Sequence, residues 1–192
     1  MTALVKIIIG LLLLLVDIEF RVAGFTFDIV SDLVGFIFVI IGLQEILEWS
    51  PLLKRSRKHA FIGAVAYVLM RFTQSFVLGK LIEMIMLAIT LITFIYLTYY
   101  LMEGILVKAK MEKKDDITGT IRGGWIIFAI ALGLYGFASI SDLNSILEGF
   151  QLAGLEQSII WILNVAVIFS GLYFIALLHQ INKLLYPKEE IK

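Results

Sequence analysis

Long apolar stretches follow one another along this chain, and its charged residues are bunched between them. A backbone in lipid has to satisfy its own hydrogen bonds, and helices of about 20 residues do this while crossing the hydrocarbon. A chain of 192 residues could make a soluble domain, but not with so many runs of near-spanning length. Apolar residues make up 60% of the chain, charged residues 17%, and the mean hydropathy is +0.98. The pattern predicts an all-α integral membrane helical bundle in one transmembrane domain, residues 1–192, with six spans in three hairpins. The spans fall at about 3–20, 28–49, 59–78, 81–107, 123–140 and 157–180. An amphipathic interfacial helix is expected over 142–152, with Leu143, Ile146, Leu147 and Phe150 on one face. The first span has Lys6 before its apolar core and Val22-Ala23-Gly24 after it, in the manner of a cleaved signal peptide. The cleavage site is poor, so a retained span is expected.

The basic residues set an orientation. Lys54–Lys58 and Lys108–Arg122 together hold nine of the sixteen Lys and Arg, and the tail and Lys6 add four more. The alternate side carries only Arg21 and Lys80, against several carboxylates. Both termini are therefore expected in the cytoplasm. Trp49, Tyr99, Tyr100, Trp125 and Tyr186 then form an aromatic belt at the inner boundary. Ser50-Pro51 reads as a helix stop, and Lys108–Arg122 as a solvated linker.

The second span has two unlike faces. At helical spacing Asp28, Asp32, Gly35, Val39 and Gly42 form one stripe, and the other side is Ile, Phe, Val and Leu. Gly35 and Gly42 read as a helix-packing seam, as do Ala129, Gly133 and Gly136 in the fifth span. The third span carries Ala60, Ala64, Tyr67, Arg71 and Gln74 on one face. Arg71 lies about 8 residues below the outer turn, about 12 Å deep. A charge there costs roughly 2.5–3.5 kcal/mol and faces the bundle interior with a partner. Asp32, on the neighbouring hairpin, is the expected partner, with Asp28 and Tyr67 beside it. This polar cluster reads first as glue between hairpins, and second as a site for ion or proton movement.

Glu45, Glu48 and Glu103 lie near inner span ends, where Lys54–Lys58 can neutralise some of them. Those cations also attract anionic lipid, by roughly 1 kcal/mol each. Asn164 reads as an interhelical hydrogen-bonding group, and His179 as a boundary residue. With no Cys and only two His, thiolate sites are excluded and a Ser-His pair is implausible. HExxH, Gly-x-Ser-x-Gly and Walker A patterns are absent from the sequence. No catalytic residue, cofactor or metal site is expected, and the chain reads as a non-enzyme. The zero net charge gives no case for nucleic acid. The lipid bilayer is the expected surrounding, with a membrane-protein partner or a second copy against the small-residue seams.

Residues Asp28 to Leu43, read as D-I-x-x-D-h-h-G followed later by Gly-Leu, resemble a segment of uncharacterised small polytopic membrane proteins of Gram-positive bacteria. There the second Asp often follows Pro and the Gly precedes Tyr. Ser31 and Phe36 stand at those positions in this chain. The resemblance covers about 16 of 192 residues and implies a multi-pass protein of the bacterial cytoplasmic membrane. It supplies no activity. Two functions follow as expectations: a membrane component or accessory protein that binds a partner, or a small transporter or channel using Asp28, Asp32 and Arg71.

Overall fold

The computed structural model describes residues 1–15, 21–22, 25–26, 29–75, 80–114, 118–140 and 155–186, with backbone alone for those among 21–31, 71–75, 80–81, 83, 140 and 156. The described residues form six α-helices: α1 (Ala3–Leu15), α2 (Ile29–Glu45), α3 (Pro51–Ser75), α4 (Lys80–Met111), α5 (Thr118–Ile140) and α6 (Glu156–Leu185). A 3₁₀ turn, Leu47–Trp49, follows α2, so the helix stops short of the expected end at Trp49. Between α1 and α2 lies a two-residue antiparallel pair, β1 (Arg21–Val22) with β2 (Phe25–Thr26). The expected interfacial helix at 142–152 lies outside the described residues, as does Asp28.

Three helices contain stretches long and apolar enough to cross a membrane: Met84–Met111, Thr118–Ser139 and Gln157–Leu185. α1 and α2 have 13 and 17 residues, about 20 and 26 Å at 1.5 Å per residue. Both fall short of a hydrocarbon core of about 30 Å. α3 has 25 residues, and its first turns are charged.

Each helix packs on its neighbour in sequence, and α6 packs on α1, which closes a ring. Neighbours run antiparallel. Gly10 meets Gly35 and Val39 while Ile7 meets Gly42. Ser56 Oγ on α3 donates to the Leu97 carbonyl on α4 at 2.9 Å, and Gly63 faces Thr93. Trp125 Nε1 donates to Thr98 Oγ1 at 3.2 Å, and Gly136 lies against Leu91. Thr2 Oγ1 donates to Asn182 Oδ1 at 2.9 Å, joining the two ends of the ring. Hydroxyls inside the helices are satisfied locally. Thr90, Ser139 and Ser170 each donate to the carbonyl one turn back, which lets them sit in apolar surroundings.

Glycine decides how close α1 and α2 come. A Cβ on Gly35 would lie 2.9 Å from the Gly10 carbonyl oxygen and 2.9 Å from Leu14 Cγ. One on Gly42 would lie 2.7 Å from the Ala3 carbonyl oxygen. Removing Cβ lets backbone approach backbone, and van der Waals contact is the main cohesive term available in lipid. In α5, Gly136 abuts Leu91 and Ala129 is half-buried. Gly133 is exposed, and a Cβ there would meet nothing within 4 Å. It belongs to the outer face and not to the packing seam.

Two boundaries differ from the sequence reading. Pro51 opens α3 and does not close a helix. Ser50 precedes it in extended conformation and accepts from Leu52 N through Oγ at 3.2 Å. Pro at the first helical position forfeits only an N–H that has no partner there anyway. Lys54–Lys58 therefore stand on helical turns, and not in a loop. The Lys108–Arg122 segment is mostly helical too: α4 runs to Met111 and α5 begins at Thr118. The turn between includes Lys113 at φ 56°.

Candidate functional site

Every helix contributes to one cavity of about 330 Å³. It lies at the end of the ring where α1, α3 and α5 end and α2, α4 and α6 begin, opposite the Thr2–Asn182 contact. α2 places Asp32 in its first turn and Phe36 one turn on. α3 supplies Tyr67, whose ring centroid is 6.5 Å from that of Phe36. α4 adds Thr90 and Phe94, α5 adds Leu132 and Tyr135, α6 adds Asn164, and the end of α1 adds Leu14 and Leu15.

The inward residues follow helical spacing. Phe128, Leu132 and Tyr135 are at i, i+4 and i+7, so they share the face of α5 that looks into the ring. Below the cavity the ring is filled. The Phe94 and Phe128 rings meet edge to face at 6.0 Å, and Phe128 stacks on Phe174 at 6.0 Å. Beyond them Leu97, Leu101, Ile105, Ile121, Leu178 and Ile181 are buried. The cavity thus has an aromatic floor near mid-depth.

The polar groups on its wall are one carboxylate, two phenols, one hydroxyl and one amide: Asp32, Tyr67, Tyr135, Thr90 and Asn164. The rest is Leu, Ile, Val, Met and Phe. Apolar walls with a few convergent polar groups are what small-ligand sites present. Among the described residues no three His, Cys, Asp or Glu gather in a metal-binding arrangement.

Of the four residues expected to cluster, Asp32 and Tyr67 meet at this cavity. Asp28 and the Arg71 side chain lie outside the described residues, and with them the expected Asp32–Arg71 pairing. Asn164 makes no hydrogen bond among the described residues and faces the cavity, where the sequence suggested an interhelical bond. Tyr135 and Thr90 were not expected. The i, i+4, i+7 spacing from Phe128 was the signal for Tyr135; Thr90 left none.

The opposite end of the ring collects the charges. Arg122 Nε and Nη2 each donate to a Glu103 oxygen at 2.8 Å. Glu45 pairs with Lys6, and Glu112 with Lys108 and Lys114. Glu45 and Glu103 are thus neutralised from α1 and α5, and not by Lys54–Lys58. The Glu112 carboxyl is held below its ordinary value, first by the Lys108 hydrogen bond and also by Lys114. Aromatic rings gather here as well. Trp49 lies 6.1 Å from Tyr186, with Lys108 Nζ 5.7 Å from its ring, and Tyr99 lies 5.2 Å from Trp125. His59, with Nδ1 buried and unpaired among the described residues, stacks on Tyr96 and Tyr100 at 5.3 and 5.5 Å.

No protein-family model, curated protein or solved structure matches the chain.

Proposed function

We propose that this is a non-enzymatic, multi-pass membrane protein that acts by binding, through the cavity at the end of the ring opposite its basic end. In this reading all six helices are spans, the short α1 and α2 by local thinning of the bilayer, arranged as three hairpins, with both termini and the basic end in the cytoplasm of a bacterial cell. The cavity then faces outward. It accepts a small ligand or a side chain of a membrane partner, and the protein serves as a binding or accessory component. The observation that carries this is the aromatic floor: a cavity walled by every helix ends on Phe94, Phe128 and Phe174. The glycine-tight α1–α2 contact supports it, because a wall packed backbone to backbone resists opening.

A small transporter is the second reading. Asp32 favours it, since a carboxylate on an intramembrane cavity wall commonly marks a substrate or proton path. The chain has no Cys, so Asn164→Cys gives a single reporter thiol. In intact cells a membrane-impermeant maleimide should label it from outside. Absence of labelling, with the protein folded and inserted, would remove the outward cavity from the proposal. Proteoliposomes then separate the two readings. Ion or solute flux that is lost in Asp32→Asn would make the protein a transporter, and no flux alongside Asn164→Cys labelling leaves it a binding component.

A further inference from the structure

Cations at the basic end of the ring fall into two groups. Lys6, Lys108, Lys114 and Arg122 each have a carboxylate partner. Arg55, Lys110, Lys113 and Lys183 have none among the described residues, and neither do Lys54, Arg57 and Lys58; Arg57 hydrogen-bonds the neutral Gln44. These three line one cavity of about 470 Å³ between α2 and α3, with Ile40 and Phe61 as its apolar walls. Phe61 also borders a second groove, of about 310 Å³, between α3 and α4. That groove is wholly apolar and includes Val65, Leu69, Met86 and Ile89. Phe61, Val65 and Leu69 are 62%, 50% and 46% exposed.

Helical spacing joins the two parts. Lys54, Arg57, Lys58, Phe61, Val65 and Leu69 fall at i, i+3, i+4, i+7, i+11 and i+15, one continuous face of α3. The face is cationic for its first turn and apolar for the next two. Lys54 to Phe61 spans about 10 Å, and Phe61 to Leu69 about 12 Å. This matches the order of a phospholipid, a charged head above a chain that fills about half of a roughly 30 Å hydrocarbon core. Had the trio served only the positive-inside bias, it would need neither a shared cavity nor a groove running on from it.

We infer that Lys54, Arg57 and Lys58 form a binding site for the headgroup of an anionic phospholipid, whose acyl chain lies in the α3–α4 groove past Phe61. Arg57 is suited to two phosphate oxygens at once, and the two lysines act as point charges. The inference rests on the membrane reading and is independent of the outward cavity.

The test uses the purified full-length chain in detergent, stripped of lipid. Dioleoyl-phosphatidylglycerol, dioleoyl-phosphatidylcholine and glycerol phosphate are titrated in turn, with retained lipid counted by native mass spectrometry. Thermal unfolding is followed alongside. Phosphatidylglycerol should bind at least about tenfold tighter than phosphatidylcholine. At about fivefold per cation, K54Q/R57Q/K58Q should weaken it on the order of a hundredfold. K108Q/K110Q/K113Q, at the same end, should leave it within about threefold. If the first triple variant does not fold, Lys58→Gln alone should lose about fivefold. Equal binding of the two lipids, or equal losses in both triple variants, would overturn the site. Glycerol phosphate acting as well as the whole lipid would make it a free-phosphate site and overturn the lipid. A co-purifying acidic protein segment that phosphatidylglycerol cannot displace would likewise overturn it.

Discussion

Gly35 and Gly133 are the same residue type in two apolar helices, and only one of them is needed. At Gly35 a methyl group would meet the Gly10 carbonyl and Leu14, and the carbonyl cannot move without moving a helix. Gly35→Ala should therefore cost about 1–3 kcal/mol, as overpacking in a filled interior does. Gly133→Ala has open space, and should be neutral or slightly stabilising through helix propensity. Thermal unfolding of both variants in one detergent checks the contrast, and equal effects would refute the seam. Glu112 gives a smaller effect with a defined sign. Its pKa is lowered in the fold, so its contribution is present above the ordinary carboxylate range and is lost as pH falls through the lowered value. The group is at the surface, so the contribution should stay below about 1 kcal/mol. Glu112→Gln should flatten the acid limb of a stability-against-pH curve and leave the limb above neutrality unchanged.

The element that decides the depth of the cavity is α5. Its middle is apolar all round, so hydrophobicity does not say which face looks inward and which meets lipid. Phe128, Leu132 and Tyr135 face the ring, while Ile126, Ile130, Gly133 and Phe137 face out. Phe128 is the keystone between Phe94 and Phe174. Phe128→Ala should cost about 3–5 kcal/mol and extend the cavity toward the basic end of the ring. Phe128→Leu should restore most of that stability. In proteoliposomes the Ala variant should also admit a small solute leak absent from the parent. A destabilised but tight variant would show that the seal lies elsewhere. The same ambiguity of an all-apolar surface explains the small-residue pattern of α5: Gly136 packs, whereas Gly133, at nearly the same spacing, does not.

At the scale of the molecule the prediction concerns orientation. Lys113, in the α4–α5 turn, and Ser158, at the start of α6, stand at opposite ends of the ring. Lys113→Cys should react with an impermeant thiol reagent only in inside-out vesicles, and Ser158→Cys only in right-side-out vesicles or intact cells. Reaction of both from one side would break the proposed topology. The ring itself, with α6 closed on α1, brings Thr2 to Asn182 and makes one wall out of six helices. A chain laid out as separate helix pairs would have the same hydropathy and no shared cavity.

Hydropathy by itself determined that the chain is helical and apolar, and the helices stand within a few residues of the expected stretches. The exceptions have physical causes. Pro51 was read as a stop, although Ser-Pro is also a helix-start signature; Ser50 in extended conformation makes Pro51 the first helical position. The lysines of 108–114 suggested a loop, although lysine sits readily on a helix whose end projects past the hydrocarbon. The close packing of Gly35 and Gly42 follows from their spacing, because small residues recurring on one face of an apolar helix let another backbone approach. Thr90, Tyr135 and Asn164 as one wall with Asp32, and Lys54, Arg57 and Lys58 on one cavity, were decided by tertiary structure alone. Both depend on which helices are neighbours across the ring, and an apolar helix carries almost no record of its neighbour in its own sequence.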